Sequence, residues 1–464
     1  MFSRRLRHFL YPLIACIWLM VAALACNLSS DSRPPTIVPQ LPSPTPPPTI
    51  GYATLEPDEL PDQATIAATN RDETVLLNLL TQVQQDRLMM HVSRLQSFGT
   101  RHFGSTFSDP NFGVNAAANY ILQEFNSIRD QSQGRFSATV QPFEFTYEGK
   151  GYTGQNVIGI LSGYEAGAGV IVVGAHYDSI STERDNPNAP APGANDNATG
   201  VAAVLEVARI MSQQQPRATV IFVAFGVEEI NRVGSIAFVN NYIVGNNIDV
   251  SAMINMDIIG SSTGPNGATI DDRIRLYSAI PNESGSRNLA RGLHLIARRL
   301  IPMMSINLEA ASDREGRYSD HISFNDAGIS AVRFIEYLED NTRNHSDRDT
   351  IDNVRPVYLT RATQTILGVT TSLADGPRPP RSISLRDAGN GNRLLVWETT
   401  PGATSYTVAL REPGSLGYNY FFDVNSNSVE WDGFTASRWE AIAVAARDER
   451  GLIGPMSAEF FINN

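Results

Sequence analysis

Cysteine is nearly absent from this chain: its 464 residues hold two, Cys16 and Cys26, both close to the N-terminus. A disulfide framework is therefore excluded. Positive charge is also scarce, with 36 Lys and Arg against 48 Asp and Glu and a formal charge of −12. A nucleic-acid partner needs a basic surface, so that class is excluded as well. No internal repeat is visible. The longest apolar stretch, Phe9 to Ala25, is broken by Pro12 and is short for a stable spanning helix. What remains is a composition with 42% hydrophobic and 18% charged residues, that of a globular protein. The length predicts a core of about 250–300 residues plus a smaller module.

The N-terminus reads as a targeting segment. Arg4, Arg5 and Arg7 precede the apolar run, and "ALAC" closes it at Cys26, which predicts a signal peptide over residues 1–25. An exported chain whose one remaining cysteine stands at the new N-terminus resembles a bacterial lipoprotein. Ala23 stands where such signals favour leucine, and the alternative is cleavage after Ala25 to give a free secreted protein. Residues 26–64 read as a tether, with eight prolines between Pro34 and Pro48 and few large apolar side chains. Such a segment favours extended polyproline conformation over a packed core.

Residues 65–376 read as a catalytic domain. Helical periodicity covers Asp72–Ser97, Val114–Arg129, Ala198–Met211 and Ser284–Leu300, while strand-like runs cover Asn156–Leu161, Val170–Ala175, Thr219–Phe225, Ala252–Met256 and Ile329–Ile335. This alternation predicts an α/β fold, with a mostly parallel central sheet and helices on both faces. In such sheets sites form beyond the carboxyl ends of the strands. His176 and Asp178 follow the second run, Glu228 and Glu229 the third, Asp257 the fourth, and His345 the fifth across a short loop; Asp196 precedes a helix. Singly, each has an ordinary reading: a structural histidine, a helix cap, a turn residue. Together, two imidazoles with three carboxylates form a zinc-type donor set and leave one glutamate over. An aspartate with two oxygens can bridge two metals, and paired zinc ions suit hydrolysis.

The motifs "GAHYDS" at Gly174–Ser179, "PGANDNATG" at Pro192–Gly200, "EE" at Glu228–Glu229, "NMD" at Asn255–Asp257, "SDH" at Ser319–His321 and "NHSDRDT" at Asn344–Thr350 resemble those of the zinc aminopeptidases of the bacterial leucyl aminopeptidase type. That family's relatives include glutaminyl cyclases and glutamate carboxypeptidases. The resemblance spans Asp72 to Asp375. It implies that His176 and Asp257 hold one zinc, that Glu229 and His345 hold a second, and that Asp196 bridges them. It further implies Glu228 as general base, Asp178 as the group orienting His176, Asp320 beside the substrate pocket, and a cis peptide at Asp196–Asn197. His345, rather than the neighbouring candidate His321, is the expected ligand. His91, His102 and His294 are expected to be structural. Where some members carry an oxyanion-stabilising tyrosine this chain has Asn344, and Tyr318 and Tyr337 are alternatives for that role.

Residues 379–464 show short alternating runs, Leu395/Trp397, Tyr406/Val408/Leu410 and Ile442/Val444/Ala446, separated by turn signals. This predicts a small all-β sandwich, which resembles a fibronectin type III domain. The function expected of the whole is an exported co-catalytic di-zinc aminopeptidase acting on peptide substrates. Its membrane contact would come only through a lipid anchor on Cys26 at the cell surface. The alternatives are a glutaminyl cyclase-like acyltransferase with one zinc and a catalytically silent surface binding protein. Side-chain preference and oligomeric state are not legible.

Overall fold

The apolar runs form the middle of an eight-stranded sheet in a computed structural model that describes residues 53–54, 74–106, 108–312 and 318–462. The signal peptide, Cys26 and most of the tether lie outside the described residues. In chain order the first elements are β1 (Ala53–Thr54), α1 (Thr74–Leu80), α2 (Gln85–Gln96), α3 (Gly113–Gln131), β2 (Phe136–Tyr147), β3 (Lys150–Leu161) and β4 (Val170–His176). Next come α4 (Thr199–Met211), β5 (Thr219–Phe225), α5 (Val233–Ala237), β6 (Val250–Met256), β7 (Arg273–Ser278) and α6 (Gly285–Leu300). β8 (Ser305–Leu308), α7 (His321–Asp326), β9 (Ala331–Glu336) and α8 (Pro356–Asp375) complete this part.

The sheet order is β2-β3-β5-β4-β6-β9-β7-β8. β5, β4, β6 and β9 run parallel, as do β7 and β8, while β2–β3, β3–β5 and β7–β9 are antiparallel. The central strands are apolar on both faces because both are covered. In β5, Val220, Phe222 and Ala224 join the large core under the long helices, whereas Ile221, Val223 and Phe225 join a second core with Phe238 and Phe324.

Two expectations needed adjustment. The helix expected over Asp72–Ser97 is two, because the chain turns between α1 and α2. There the Gln84 N–H donates to the buried Glu206 carboxylate at 2.8 Å. β2, β7, β8 and α8 were not foreseen; β2 and β8 are the two edge strands, and β2 shows little regular burial.

Beyond α8 lies a β-sandwich. One sheet holds β10 (Ser384–Gly389), β11 (Asn392–Val396) and β14 (Ser428–Trp431); the other holds β12 (Ser405–Arg411), β13 (Tyr420–Val424), β15 (Ala441–Arg447), β16 (Ile453–Met456) and β17 (Phe460–Phe461). Trp397, Tyr406, Trp431 and Trp439 fill its core. The short β1, from the segment expected to be tether, pairs in parallel with β14. The sandwich does not hang free: Tyr418, Phe421, Leu452 and Ile453 belong to the same apolar core as the α/β body.

Candidate metal centre

Because β5, β4 and β6 are parallel neighbours, their carboxyl ends lie side by side. β4 delivers His176, the turn after β5 delivers Glu228 and Glu229, and the residue after β6 is Asp257. Asp196 enters from the loop before α4, and His345 from the loop after β9. The expected residues thus meet in three overlapping clusters: His176 with Asp196 and Asp257, Asp196 with Glu229 and His345, and His176 with Glu228 and Glu229.

Asp196 stands between the two imidazoles. Its Oδ1 is 3.4 Å from His176 Nε2 and its Oδ2 is 3.4 Å from His345 Nε2. Asp257 Oδ1 lies 3.4 Å from His176 Nε2, and Glu229 Oε2 lies 3.0 Å from His345 Nε2. Glu228 stays further off, its Oε2 4.0 Å from His176 Nε2. His321, fully buried, belongs to none of the three clusters. His102 has ordinary loop partners, the Arg184 carbonyl at Nε2 and the Gly104 N–H at Nδ1. Of the oxyanion candidates, Tyr318 and Asn344 line the cavity, of about 470 Å³, that holds these clusters; Tyr337 does not. A larger hollow, near 1190 Å³, lies under the β2–β3 hairpin and contains none of the clusters.

Asp178 stands beside His176, the group it is expected to orient. Its carboxylate lies 3.6 Å from His176 Nδ1, too far for a hydrogen bond, and the nearer acceptor is its own carbonyl at 3.2 Å. The carboxylate instead accepts the N–H groups of Glu228 at 3.0 Å and Glu229 at 3.2 Å, so it fixes the turn that carries both glutamates. That turn is strained: Val227 has φ +61°, and Ile258, directly after Asp257, has φ +62°. β-Branched residues avoid this region unless the surroundings impose it, and such positions gather at functional sites. The peptide Asp196–Asn197 is cis.

Other positioning residues were not read from the sequence. Asp349 accepts the N–H groups of Asn195 and Asp196, each at 2.9 Å. Its place inside "NHSDRDT" was the available signal. The buried Arg333 of β9 puts Nη2 3.0 Å from Asp257 Oδ2. An arginine inside an apolar strand run was the signal there.

Electrostatics follow from burial. Burial pushes the Glu228 carboxyl well above its ordinary range; His176 opposes this, and Asp320, Glu229 and Asp257 add to it. Burial likewise raises Glu229, with Asp196 reinforcing. Asp257 ends below its usual range, because Arg333 and His176 outweigh burial. Burial would lower His345, but Glu229 and Asp196 carry it up to about 11. So many buried carboxylates facing one another require cations beyond Arg333. The imidazole and carboxylate donors are those zinc takes, so the residues fit that metal.

The fold and this donor set, with the family and relatives that the chain matches, define a zinc-dependent peptidase. The profile of peptidase family M28 matches residues 156–370. A "Probable zinc metalloprotease" of Pyricularia oryzae is 31% identical over 433 residues, covering 85% of this chain and 80% of that protein. One of the same description from Phaeosphaeria nodorum is 29% identical over 410 residues, covering 78% and 82%. The chain belongs to peptidase family M28. Among solved structures, the Legionella pneumophila LapA aminopeptidase shares the fold with a TM-score of 0.51 at 20% identity, over 64% of this chain and 74% of that one. An aminopeptidase from an Aneurinibacillus species does so with a TM-score of 0.50 at 17% identity, over 64% and 95%.

Proposed function

We propose that this M28 peptidase is an exported aminopeptidase that works with two zinc ions. The observation that carries the reading is Asp196, whose two carboxylate oxygens each face a different imidazole at 3.4 Å. One carboxylate placed between two histidine-containing clusters suits two metals better than one. In this reading His176 and Asp257 hold the first zinc, Glu229 and His345 the second, and Asp196 serves both. When bound, the zinc pair supplies Lewis-acid polarisation of the scissile carbonyl and acidifies water.

The chain's own groups do the rest. Glu228, buried and set back from the imidazoles, takes a proton from the attacking water and returns it to the leaving amine nitrogen. A carboxylate within reach of that water and of the leaving nitrogen can hold the proton between the two steps. Asp178 holds the backbone of the glutamate turn. Of the three expected oxyanion candidates, Tyr318 and Asn344 line the cavity and can donate a hydrogen bond to the developing oxyanion. A cavity of about 470 Å³ has room for a chain end.

The test is zinc content by elemental mass spectrometry alongside turnover of leucyl-p-nitroanilide, with N-terminal glutamine cyclisation assayed in parallel. Two zinc per chain with amide hydrolysis is expected. One zinc with cyclisation alone would replace this reading by an acyltransferase, and metal without either activity by a binding protein.

We further propose that the chain is exported and anchored through lipid on Cys26, with the Pro-rich residues 26–64 as spacer and the C-terminal sandwich as a fibronectin type III-like module. The charged and apolar leader and the lone cysteine at its end support this. Cys26→Ala should release the protein from the detergent phase into the medium. Finding that the mature N-terminus carries no acyl chain would contradict the anchor.

A further inference from the structure

The cavity around the clusters is lined, among the described residues, by a single aliphatic side chain, Ile258, and a single aromatic one, Tyr318. Its wall is therefore mostly polar. It offers three guanidinium groups: Arg184, Arg232 and Arg333. Arg333 is spent on Asp257. Arg232 is not spent. It stands three residues past Glu229 at φ +60°, half-buried, with its guanidinium carbon 5.5 Å from the centre of the Tyr318 ring. Its Nε is buried and has no hydrogen-bond acceptor, and among the described residues the guanidinium pairs with no carboxylate. A left-handed, non-glycine residue beside the reacting groups is the kind of strain that function retains. A guanidinium braced on an aromatic face is also a ready-made fork for a carboxylate.

We infer that Arg232, with Arg184 on the wall of the same cavity, binds a substrate carboxylate next to the scissile amide. This rests on the aminopeptidase reading. It makes peptides with a negative charge at that place the preferred substrates over neutral ones, and two groups qualify. One is the side chain of an N-terminal glutamate or aspartate; the other is the α-carboxylate of a dipeptide. Tyr318 flanks the guanidinium, and the charged substrate gains an ion pair there that a neutral one cannot make.

The experiment compares kcat/KM within two pairs on the zinc-loaded full-length protein: glutamyl- against glutaminyl-p-nitroanilide, and leucyl-glycine against leucyl-glycinamide. The charged member of at least one pair should be preferred by about tenfold or more, and the preferred pair identifies which carboxylate is bound. Arg232→Gln should bring that ratio close to one, and Arg232→Lys should leave it in between. Ratios near one in the wild type, or a wild-type ratio that survives Arg232→Gln, would overturn the inference. If the wild type cleaves none of the four, the aminopeptidase reading fails separately. Calorimetric titration with glutamate and leucinamide then decides the carboxylate site. A glutamate preference lost in Arg232→Gln supports it, and an unchanged preference overturns it.

Discussion

The residues that define the centre are linked by protons as much as by distance. In the metal-free cluster the imidazole of His345 is held protonated, near a pKa of 11, and His176 is also raised well above its ordinary value; burial opposes both shifts, and the neighbouring carboxylates outweigh it. Zinc takes the neutral imidazole, so binding must expel those protons. Apparent zinc affinity should therefore rise with pH across the neutral range, by about tenfold per pH unit for each proton displaced. Competition titrations at pH 6, 7 and 8, with calorimetry in buffers of different ionisation enthalpy, would measure slope and proton release together. A flat pH dependence would mean that zinc displaces no imidazole proton and would contradict the protonated cluster. At this scale the sequence was informative wherever a strand end announced a side chain: His176, Glu228, Glu229 and Asp257 follow apolar runs. It was silent where a partner arrives from elsewhere in the fold. The motif around Asp349 marks that residue but does not say that it will grip the backbone of Asp196, and nothing local to Arg232 says that its guanidinium finds no carboxylate among the described residues.

The elements around the centre were legible in proportion to their burial. β5 runs over Thr219–Phe225, as its apolar run predicts, because both of its faces are covered. The break between α1 and α2 was illegible because its cause is the distant Glu206. α2 carries a second consequence. Its His91 is 1% exposed, and its Nδ1 lies 2.6 Å from the Tyr120 hydroxyl. Burial lowers its pKa to about 4, with Arg87 and Arg209 adding to the effect against Glu206. A histidine depressed in the folded state contributes stability that is present above its unfolded pKa of about 6.5 and is lost as pH falls towards 4. Between pH 7 and pH 5 this group alone should cost about 2 kcal/mol, because the unfolded chain takes up the proton that the folded one refuses. Urea unfolding of wild type and His91→Gln at the two pH values should show the variant losing less stability on acidification. Equal losses would mean that His91 is charged in the folded protein.

At the scale of the whole molecule, alternating residues such as Tyr406, Val408 and Leu410 announced the sandwich, but not its attachment. The attachment is apolar at its centre, through Phe421 and Ile453, and ionic beside it. Arg299 of α6 reaches both carboxylate oxygens of Asp423 at 2.7 Å, and Arg291 reaches Glu459 at 3.2 Å. Arg299 is 3% exposed and Asp423 23%, so Arg299→Ala strands a partly buried charge; the cost should be about 2 kcal/mol, below the range for full burial. Since one apolar core runs through both parts, calorimetry should show a single transition moved to lower temperature. A separate low-temperature transition of the sandwich would contradict the shared core. The central claim is the division of labour between the two glutamates after β5, and it is tested most directly by zinc content and turnover measured side by side on Glu228→Gln and Glu229→Gln. Glu228→Gln should keep its zinc and lose at least about two decades of kcat, the scale of a lost general base, while Glu229→Gln should lose zinc from one site. Near wild-type turnover in Glu228→Gln, or zinc lost from it as readily as from Glu229→Gln, would contradict the account.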